Sequence, residues 1–391
     1  MRPPVPYRSR AAAAAQIMTS RIERAQWHQL RVSPKTVWSF IELTDDDGRI
    51  GVGEATRGQR ELQMREMLAL YQGRVLARAP AAVDLDPLRA TAQSLPEFAV
   101  ISALDQAVSD LDAQQRGITV AELLGPVLRH EIAAYANINR GIAQRTPQGF
   151  AAQARLAIAD GFKAIKVAPF DEVTLYGKGN DDSSTWNIEP GLARIAAVRD
   201  AAGPDIELMV DCHWRLNRAA AEAVLSATAP QKLYWLECPV PEQFELLETI
   251  CHLRAKANSL GVRLAGCEEM TMLAGFQPFL DAGTYDVMMP DAKYVGGLKE
   301  MLRVGDALKA RGVSFSPHNP SGPVCHAASL HVCAVSAAFT RLEIQYAETP
   351  LFDELVGGVL PKAVGGAFAL PSKPGLGVRL DPRLVAELDY R

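Results

Sequence analysis

Residues 206–242 read IELMVDCHWRLNRAAAEAVLSATAPQKLYWLECPVPE, and the fold turns on how this stretch is parsed. Ile206–Asp211 is a short apolar run of β-type residues that ends on an acid. An alanine-rich segment of helical spacing follows, and Leu233–Glu237 is a second apolar run that again ends on an acid. The same alternation continues on both sides. Ala133–Ile138, Ala164–Ala168, Val262–Cys267, Tyr285–Pro290, Val313–Pro317 and Leu342–Tyr346 are the further strand candidates. Each of the first seven runs precedes a helical pattern, such as Pro190–Ala202 or Leu298–Arg311. Strands that alternate with helices form a parallel sheet, and eight of them imply closure into an α/β barrel of the TIM type. An open doubly wound sheet is the alternative. No GxGxxG or GxxxxGK[ST] stands between a strand and a helix, so a nucleotide site is not expected.

Upstream, Ile22–Arg31 and Thr36–Leu43 alternate apolar and polar residues, and Asp45-Asp46-Asp47-Gly48 turns the chain toward Ile50. That pattern predicts a small antiparallel meander. Helical periodicity around residues 58–77, 86–94 and 98–115 completes an α+β region. The expected division is a disordered tail (1–17), a capping domain (18–131), a barrel (132–346) and an irregular C-terminal segment (347–391) that wraps back over the cap.

The 391 residues are 48% hydrophobic and 22% charged, with a formal net charge of −4. This balance offers no bulk electrostatic case for binding nucleic acid or an anionic membrane. No apolar run approaches the roughly 18 residues that span a bilayer. The six cysteines show no CxxC pairs, which predicts reduced thiols in a cytoplasmic enzyme. The opening MRPPVPYRSRAAAAAQ lacks a Leu/Val-rich core and reads as a tail rather than a signal peptide.

Active sites of such barrels lie at the C-terminal ends of the strands. Lys166 lies in the second run; Asp211, Glu237, Glu268, Asp291 and His318 stand at the ends of the next five, and Glu343 lies in the last. They recur about once per strand–helix unit, so they should meet around one mouth. Three consecutive carboxylates repel one another unless a hard divalent cation joins them, and Mg²⁺ or Mn²⁺ suits oxygen ligands. For any one acid, a helix cap or a solvated strand end is the plainer reading. Three in consecutive units, followed by Asp and then His, favour a site. Cys212, Cys238 and Cys267 flank the carboxylates and raise a soft-metal alternative. Strand neighbours face opposite ways, however, so these sulfurs are expected to pack outward against the helices.

Taken in order, GVGEA (51–55), GFKAIKVAPF (161–170), MVDCHWR (209–215), WLECPVPE (235–242), LAGCEEM (264–270), MMPDAKYVGGLKE (288–300) and SFSPHNPSGP (314–323) resemble the enolase superfamily, and within it the mandelate racemase / muconate lactonizing enzyme group. The resemblance spans residues 20–390. It implies a modified (β/α)₇β TIM barrel under an α+β cap, a homo-oligomer, and Mg²⁺ on Asp211, Glu237 and Glu268. Glu269 stands beside the third ligand, and the family pattern assigns that role to the first acid of such a pair.

The family's chemistry meets a physical need. A proton alpha to a carboxylate is too weakly acidic for a side-chain base near neutral pH, and coordination of the carboxylate stabilises the enediolate. Lys166 matches the first lysine of a Lys-x-Lys signature and would neutralise the substrate carboxylate. The second would be at 168, where this chain has Ala168, so a lysine base on that face is absent. His318 and Asp291 match the His–Asp dyad of the racemase subgroup, in which the acid fixes the imidazole tautomer. Glu343 matches the last-strand acid that hydrogen-bonds the carboxylate. Asp211-Cys212-His213 resembles the dehydratases of galactonate-type acids, in which the second histidine protonates the leaving 3-hydroxyl. Position i+2 on a strand shares a face with position i, which would turn His213 into the mouth. Support of the metal site is the plainer role for His213. Arg215 either binds a distal hydroxyl or anchors a loop; Trp214 and Asn139 are further substrate-contact candidates, with Asn137 and Arg140 beside the latter. The remaining histidines read as structural. Residues 174–187 form a long polar excursion near the mouth, a lid or an oligomer contact.

The expected function is therefore Mg²⁺-dependent dehydration of an aldonate or aldarate to a 2-keto-3-deoxy acid. A cycloisomerase or a racemase/epimerase of the same superfamily is the alternative, and a sugar-acid-binding protein without catalysis is a third reading. Specificity is expected in the loops around residues 31–37 and 54–64.

Overall fold

The computed structural model describes residues 20–174 and 187–389. The expected tail and nearly all of the 174–187 excursion lie outside the described residues. β1 (Ile22–Arg31), β2 (Val37–Asp45) and β3 (Ile50–Glu54) form an antiparallel sheet in that order. The Asp45 carboxylate makes the β2–β3 turn, accepting from the backbone N–H of Asp47 at 3.1 Å and of Arg49 at 2.8 Å. Helices α1 (Glu61–Tyr71), α2 (Asp86–Thr91), α3 (Leu95–Arg116) and α4 (Val120–Leu124) follow. α3 packs flat on the sheet because Gly51 and Gly53 present no side chain. A Cβ at Gly53 would stand 1.9 Å from the Ala103 carbonyl oxygen, and one at Gly51 2.2 Å from that of Ala107.

The second sheet is parallel. β4 (Glu131–Asn137), β5 (Ala164–Val167), β6 (Glu207–Asp211), β7 (Trp235–Glu237), β8 (Arg263–Gly266), β9 (Val287–Met288), β10 (Ser314–Phe315) and β11 (Leu342–Gln345) pair in the order β10-β9-β8-β7-β6-β5-β4-β11. A parallel bridge between Phe315 and Phe339, and Glu343 N–H donating to the Pro317 carbonyl at 3.4 Å, bring β10 against the β11 segment and curl the sheet into the expected barrel. The crossovers are α5 (Pro147–Ala159), α6 (Glu189–Ala202), α7 (Arg218–Ala227), α8 (Leu247–Ser259), α9 (Met272–Ala282), α10 (Leu298–Ala310) and α11 (Pro323–Val335). Alternation along the strands sorts the core. Tyr135, Met209, Trp235, Ala265 and Val287 pack inside the barrel, while Ala136, Ile165, Leu208, Leu236 and Leu264 join the layer under the helices.

After β11 the chain passes α12 (Leu351–Glu354), adds β12 (Ala367–Ala369) antiparallel to the start of β4, and ends on α13 (Pro382–Leu388). A Leu30–Asp389 bridge ties this segment to β1. β12 falls where the composition reads as irregular. Its three residues are too few to carry a period.

The seam between α3 and the barrel carries the β9–α10 loop. Gln106 Nε2 donates to the Ala292 carbonyl at 3.0 Å, Ser102 Oγ accepts from Gly296 N–H at 3.0 Å, and Asp105 accepts from Leu298 N–H at 2.8 Å. From β3, the buried Glu54 carboxylate accepts from Gly322 and Cys325 N–H at 2.7 and 2.9 Å, at the N-terminus of α11. Among the described residues, no helix is long and apolar enough to cross a membrane.

Candidate active site

Asp211 and Glu237 close β6 and β7, and Glu268 lies two residues beyond β8. One carboxylate oxygen from each lies within 4.8 Å of the others, and all three residues are buried. Glu269 turns away to the cap, where it accepts from Arg57 Nη1 at 2.8 Å.

The strand ends do not continue the β alternation. His213, Trp214, Cys238 and Cys267 have φ of 48°, 55°, 43° and 72°, a region that costs a residue with a Cβ roughly 1 kcal/mol or more. His213 consequently reaches Asp211 by a left-handed turn and not by strand periodicity. Its N–H donates to Asp211 Oδ1 at 2.8 Å, and its Nε2 lies 2.9 Å from Asp211 Oδ2. The same effect corrects the expectation for Cys238. Its thiol points not outward but toward Glu268 Oε2 (3.7 Å) and Glu242 Oε1 (3.9 Å). Cys212 and Cys267 do join the core under the helices.

Lys166 sits beneath the triad. Its Nζ lies 2.5 Å from Glu237 Oε1, 2.9 Å from Glu343 Oε1 and 3.8 Å from Asp211 Oδ2. The second Glu237 oxygen accepts from the Trp235 indole at 2.9 Å. Glu343 is held further by Asn137 Nδ2 at 2.7 Å and by Asn319 N–H at 3.0 Å. Four buried carboxylates thus face one ammonium. Burial, and then the neighbouring acids despite Lys166, push the Glu237 carboxyl up to about 8. Burial and the charges of Asp211 and Glu237 push Glu268 well above the usual range. Burial would raise Asp211 too, but His213 and Lys166 hold it below its ordinary value. His213 is in turn raised by the Asp211 charge.

The donor set fits a hard divalent ion. Octahedral Mg²⁺–O distances of about 2.0–2.1 Å place neighbouring ligand oxygens about 2.9 Å apart and opposite ones about 4.2 Å apart. Those separations fall inside the observed spread. Burial raises the Cys238 thiol well above its usual range, and its sulfur is not one of the three clustered donors.

On the other side of Glu268 stands the dyad. His318 Nδ1 lies 2.7 Å from Asp291 Oδ2, and its Nε2 lies 3.5 Å from Glu268 Oε1. Sequence reasoning missed two supports here. Lys293 donates to Asp291 through its backbone N–H (Oδ1, 2.7 Å) and its Nζ (Oδ2, 2.7 Å), and its Nζ also reaches Ser321 Oγ. Asn319 links Glu343 to the buried His326, with its Nδ2 3.0 Å from the ring. The available signal was position alone: Lys293 is two residues past Asp291, and Asn319 is next to His318.

A cavity of about 440 Å³ opens over these groups. Asp211, His213, Glu268, His318 and Asn139 line it from the barrel, and Lys35–Val37 and Thr56–Gly58 line it from the cap. Of the substrate-contact candidates, Asn139 lines the cavity, and Trp214 and Arg215 are not among its lining residues. Arg215 instead donates to the Val173 carbonyl at 2.6 Å, the loop-anchoring alternative, and the Trp214 indole serves the buried Glu242.

The model of the family described as "Enolase C-terminal domain-like" matches residues 149–384. The chain belongs to the enolase superfamily. Within it, this superfamily member falls in the mandelate racemase / muconate lactonizing enzyme group. It is 29% identical over 353 residues to a D-gluconate dehydratase of Thermoproteus tenax, covering 88% of this chain and 68% of that one. It is 29% identical over 358 residues to a D-galactonate dehydratase of Xanthomonas euvesicatoria pv. vesicatoria, covering 89% and 90%. Its fold is that of a mandelate racemase/muconate lactonizing enzyme from Jannaschia sp. CCS1, with a TM-score of 0.84 at 23% identity, covering 95% of this chain and 98% of that chain. The barrel, the dehydratase relatives and the family together make this superfamily member an enzyme of the hydro-lyase class.

Proposed function

We propose that the protein dehydrates a sugar acid with the help of Mg²⁺, removing the proton alpha to the carboxylate and releasing a 2-keto-3-deoxy acid. The observation that carries this reading is that His318 and His213, from different strands, border one cavity on either side of the Asp211–Glu268 pair. Loss of water across a C–C bond needs one base and one acid so disposed. The gluconate and galactonate dehydratases among the relatives support the same class of substrate.

A divalent ion held by Asp211, Glu237 and Glu268 would supply electrostatic stabilisation of the charge that develops on the substrate carboxylate. Lys166 and Glu343, fully buried beneath the triad, set the charge under that carboxylate, the ammonium as a counter-charge and the acid as its hydrogen-bonded partner. The bond from His318 Nδ1 to Asp291 keeps that nitrogen protonated, which leaves Nε2 free to take the C2 proton. His213 Nε2 is bound to Asp211, and its other ring nitrogen delivers a proton to the leaving 3-hydroxyl, which departs as water. The enol that remains tautomerises to the 2-keto acid.

The test is incubation of the Mg²⁺-loaded protein with a panel of aldonic and aldaric acids and assay for 2-keto-3-deoxy product. An H318N variant that keeps full turnover would remove His318 from the role of base. A second reading, cycloisomerisation or racemisation with His213 only supporting Asp211, draws on the two bonds between those residues. Exchange of the C2 proton in D₂O without loss of water would favour it.

A further inference from the structure

The three carboxylates of the triad are not held alike. Asp211 and Glu237 are the last residues of β6 and β7 and stand inside the ladder, Asp211 beside Glu237 and Glu237 beside Ala265. The residue after each donates its N–H to the next strand. Cys212 donates to the Glu237 carbonyl at 2.9 Å, and Cys238 to the Ala265 carbonyl at 3.0 Å. Glu268 stands outside the ladder, past the end of β8. Cys267 before it takes a left-handed φ of 72°, a conformation that persists only where its surroundings enforce it. Cys267 occupies the position equivalent to Cys212 and Cys238, the first beyond its strand. Its N–H, however, donates to a side chain, Glu242 Oε1, at 2.5 Å.

Glu242 reaches that point from the loop after β7, and the residues around it leave room for the reach. Its Oε1 also accepts from the Tyr285 hydroxyl at 3.0 Å, and the Trp214 side chain, from the turn after Asp211, is a further partner. Gly266 clears the way: a Cβ there would stand 2.4 Å from Glu242 Oε1 and 2.6 Å from Tyr285 Cζ. The Cys238 thiol lies near both acids, 3.9 Å from Glu242 Oε1 and 3.7 Å from Glu268 Oε2. One carboxylate thus meets the turns that follow β6, β7 and β8, and each of those turns carries or adjoins a triad acid.

We propose that Glu242 is a positioning residue of the divalent-ion site, holding Glu268 through the Cys267 N–H as the ladder holds Asp211 and Glu237. The inference rests on the metal role given above to that triad. Glu242 belongs neither to the triad nor to the cavity lining, so its effect passes through the bonds it makes. Outer hydrogen-bond partners of this kind fix the orientation of a ligand, and their loss typically weakens metal binding by about 10- to 100-fold.

The test titrates the full chain with Mn²⁺ alone, without substrate, and reads binding by electron paramagnetic resonance and calorimetry. Two variants separate reach from charge. E242Q keeps the length of the side chain and an oxygen acceptor but removes the charge. E242D keeps the charge but is one methylene too short for the Cys267 N–H. E242D should bind Mn²⁺ about 10- to 100-fold more weakly, and E242Q should stay close to the unmodified chain. The reverse order would make Glu242 a source of charge and overturn the inference, as would unchanged affinity in both. If both weaken, or either fails to fold, G266A decides, because it keeps Glu242 and pushes its carboxylate aside. Weaker binding in G266A supports the inference, and unchanged binding overturns it. Thermal midpoints in EDTA are recorded alongside, since a role in folding alone would move the midpoint and not the affinity. An unmodified chain that binds no Mn²⁺ would remove the metal reading of the triad itself, and the inference with it.

Discussion

Asp291 Oδ2 serves two donors at once, His318 Nδ1 and Lys293 Nζ, each at 2.7 Å. The lysine, through its backbone N–H and its Nζ, restrains both oxygens of the carboxylate that meets the imidazole. K293M should therefore lower kcat by roughly 10- to 100-fold, the cost typical of removing an outer support, with a smaller change in KM and partial recovery in K293R. Steady-state kinetics on any accepted acid checks this. His213 is the sharper case. H213N should lose dehydration by about 10²–10⁴-fold while C2 exchange in D₂O, followed by NMR, persists. Loss of both reactions would mean that His213 serves the metal site instead. At this scale the sequence was readable where residue type and spacing coincide, as with Asp211, Glu237, Glu268, Asp291 and His318. It misled where the backbone leaves the strand. Periodicity cannot announce a left-handed His213 or Cys238, and so the Cys238 thiol, expected to pack outward, turns instead toward Glu242 and Glu268.

At the level of elements, every barrel strand lies in or across its expected run, but most are shorter at the mouth end. β9 and β10 keep two residues each, because the chain there bends into the loops that bear Asp291 and His318. An apolar run marks a buried strand but not where pairing stops. The cap shows the complementary case, in which close approach explains a residue choice. Gly53 has room for a hydrogen and nothing larger beneath α3. G53A should destabilise the protein by about 1–3 kcal/mol or more, since the obstructing atom is backbone and cannot swing aside. A clear fall in the thermal midpoint checks it; an unchanged midpoint would show that α3 can lift from the sheet at little cost.

For the whole molecule, the concentration of buried acid links stability to metal and pH. A ligand that binds only the folded form adds RT ln(1 + [L]/Kd), about 2.7 kcal/mol at a hundredfold excess over Kd. Mg²⁺ should thus raise the thermal midpoint in a dose-dependent way, EDTA should reverse it, and D211N should abolish the response. In EDTA the sign of the pH effect is set by Glu237, which burial raises from 4.5 to about 8. A carboxyl raised in the folded state binds its proton more tightly there than when unfolded. Its contribution is present below pH 4.5 and lost as pH rises through about 8. Glu242, pushed up to about 7 by burial, acts in the same direction. The metal-free midpoint should fall between pH 5 and 8, and saturating Mg²⁺ should shrink that fall, as scanning calorimetry at both pH values would record.

Glu54 has a kinetic meaning beyond its place in the seam. Its fully buried carboxylate is held by two backbone donors of the α11 terminus, a few residues past His318. Swinging the cap sheet away would break both of those bonds and open the Gln106 and Asp105 contacts together. Hinged opening of the cap therefore has to break these seam bonds together rather than one at a time. On the cap side the cavity is bordered instead by the short loops that carry Lys35 and Arg57, so the way in lies past them and not across the seam.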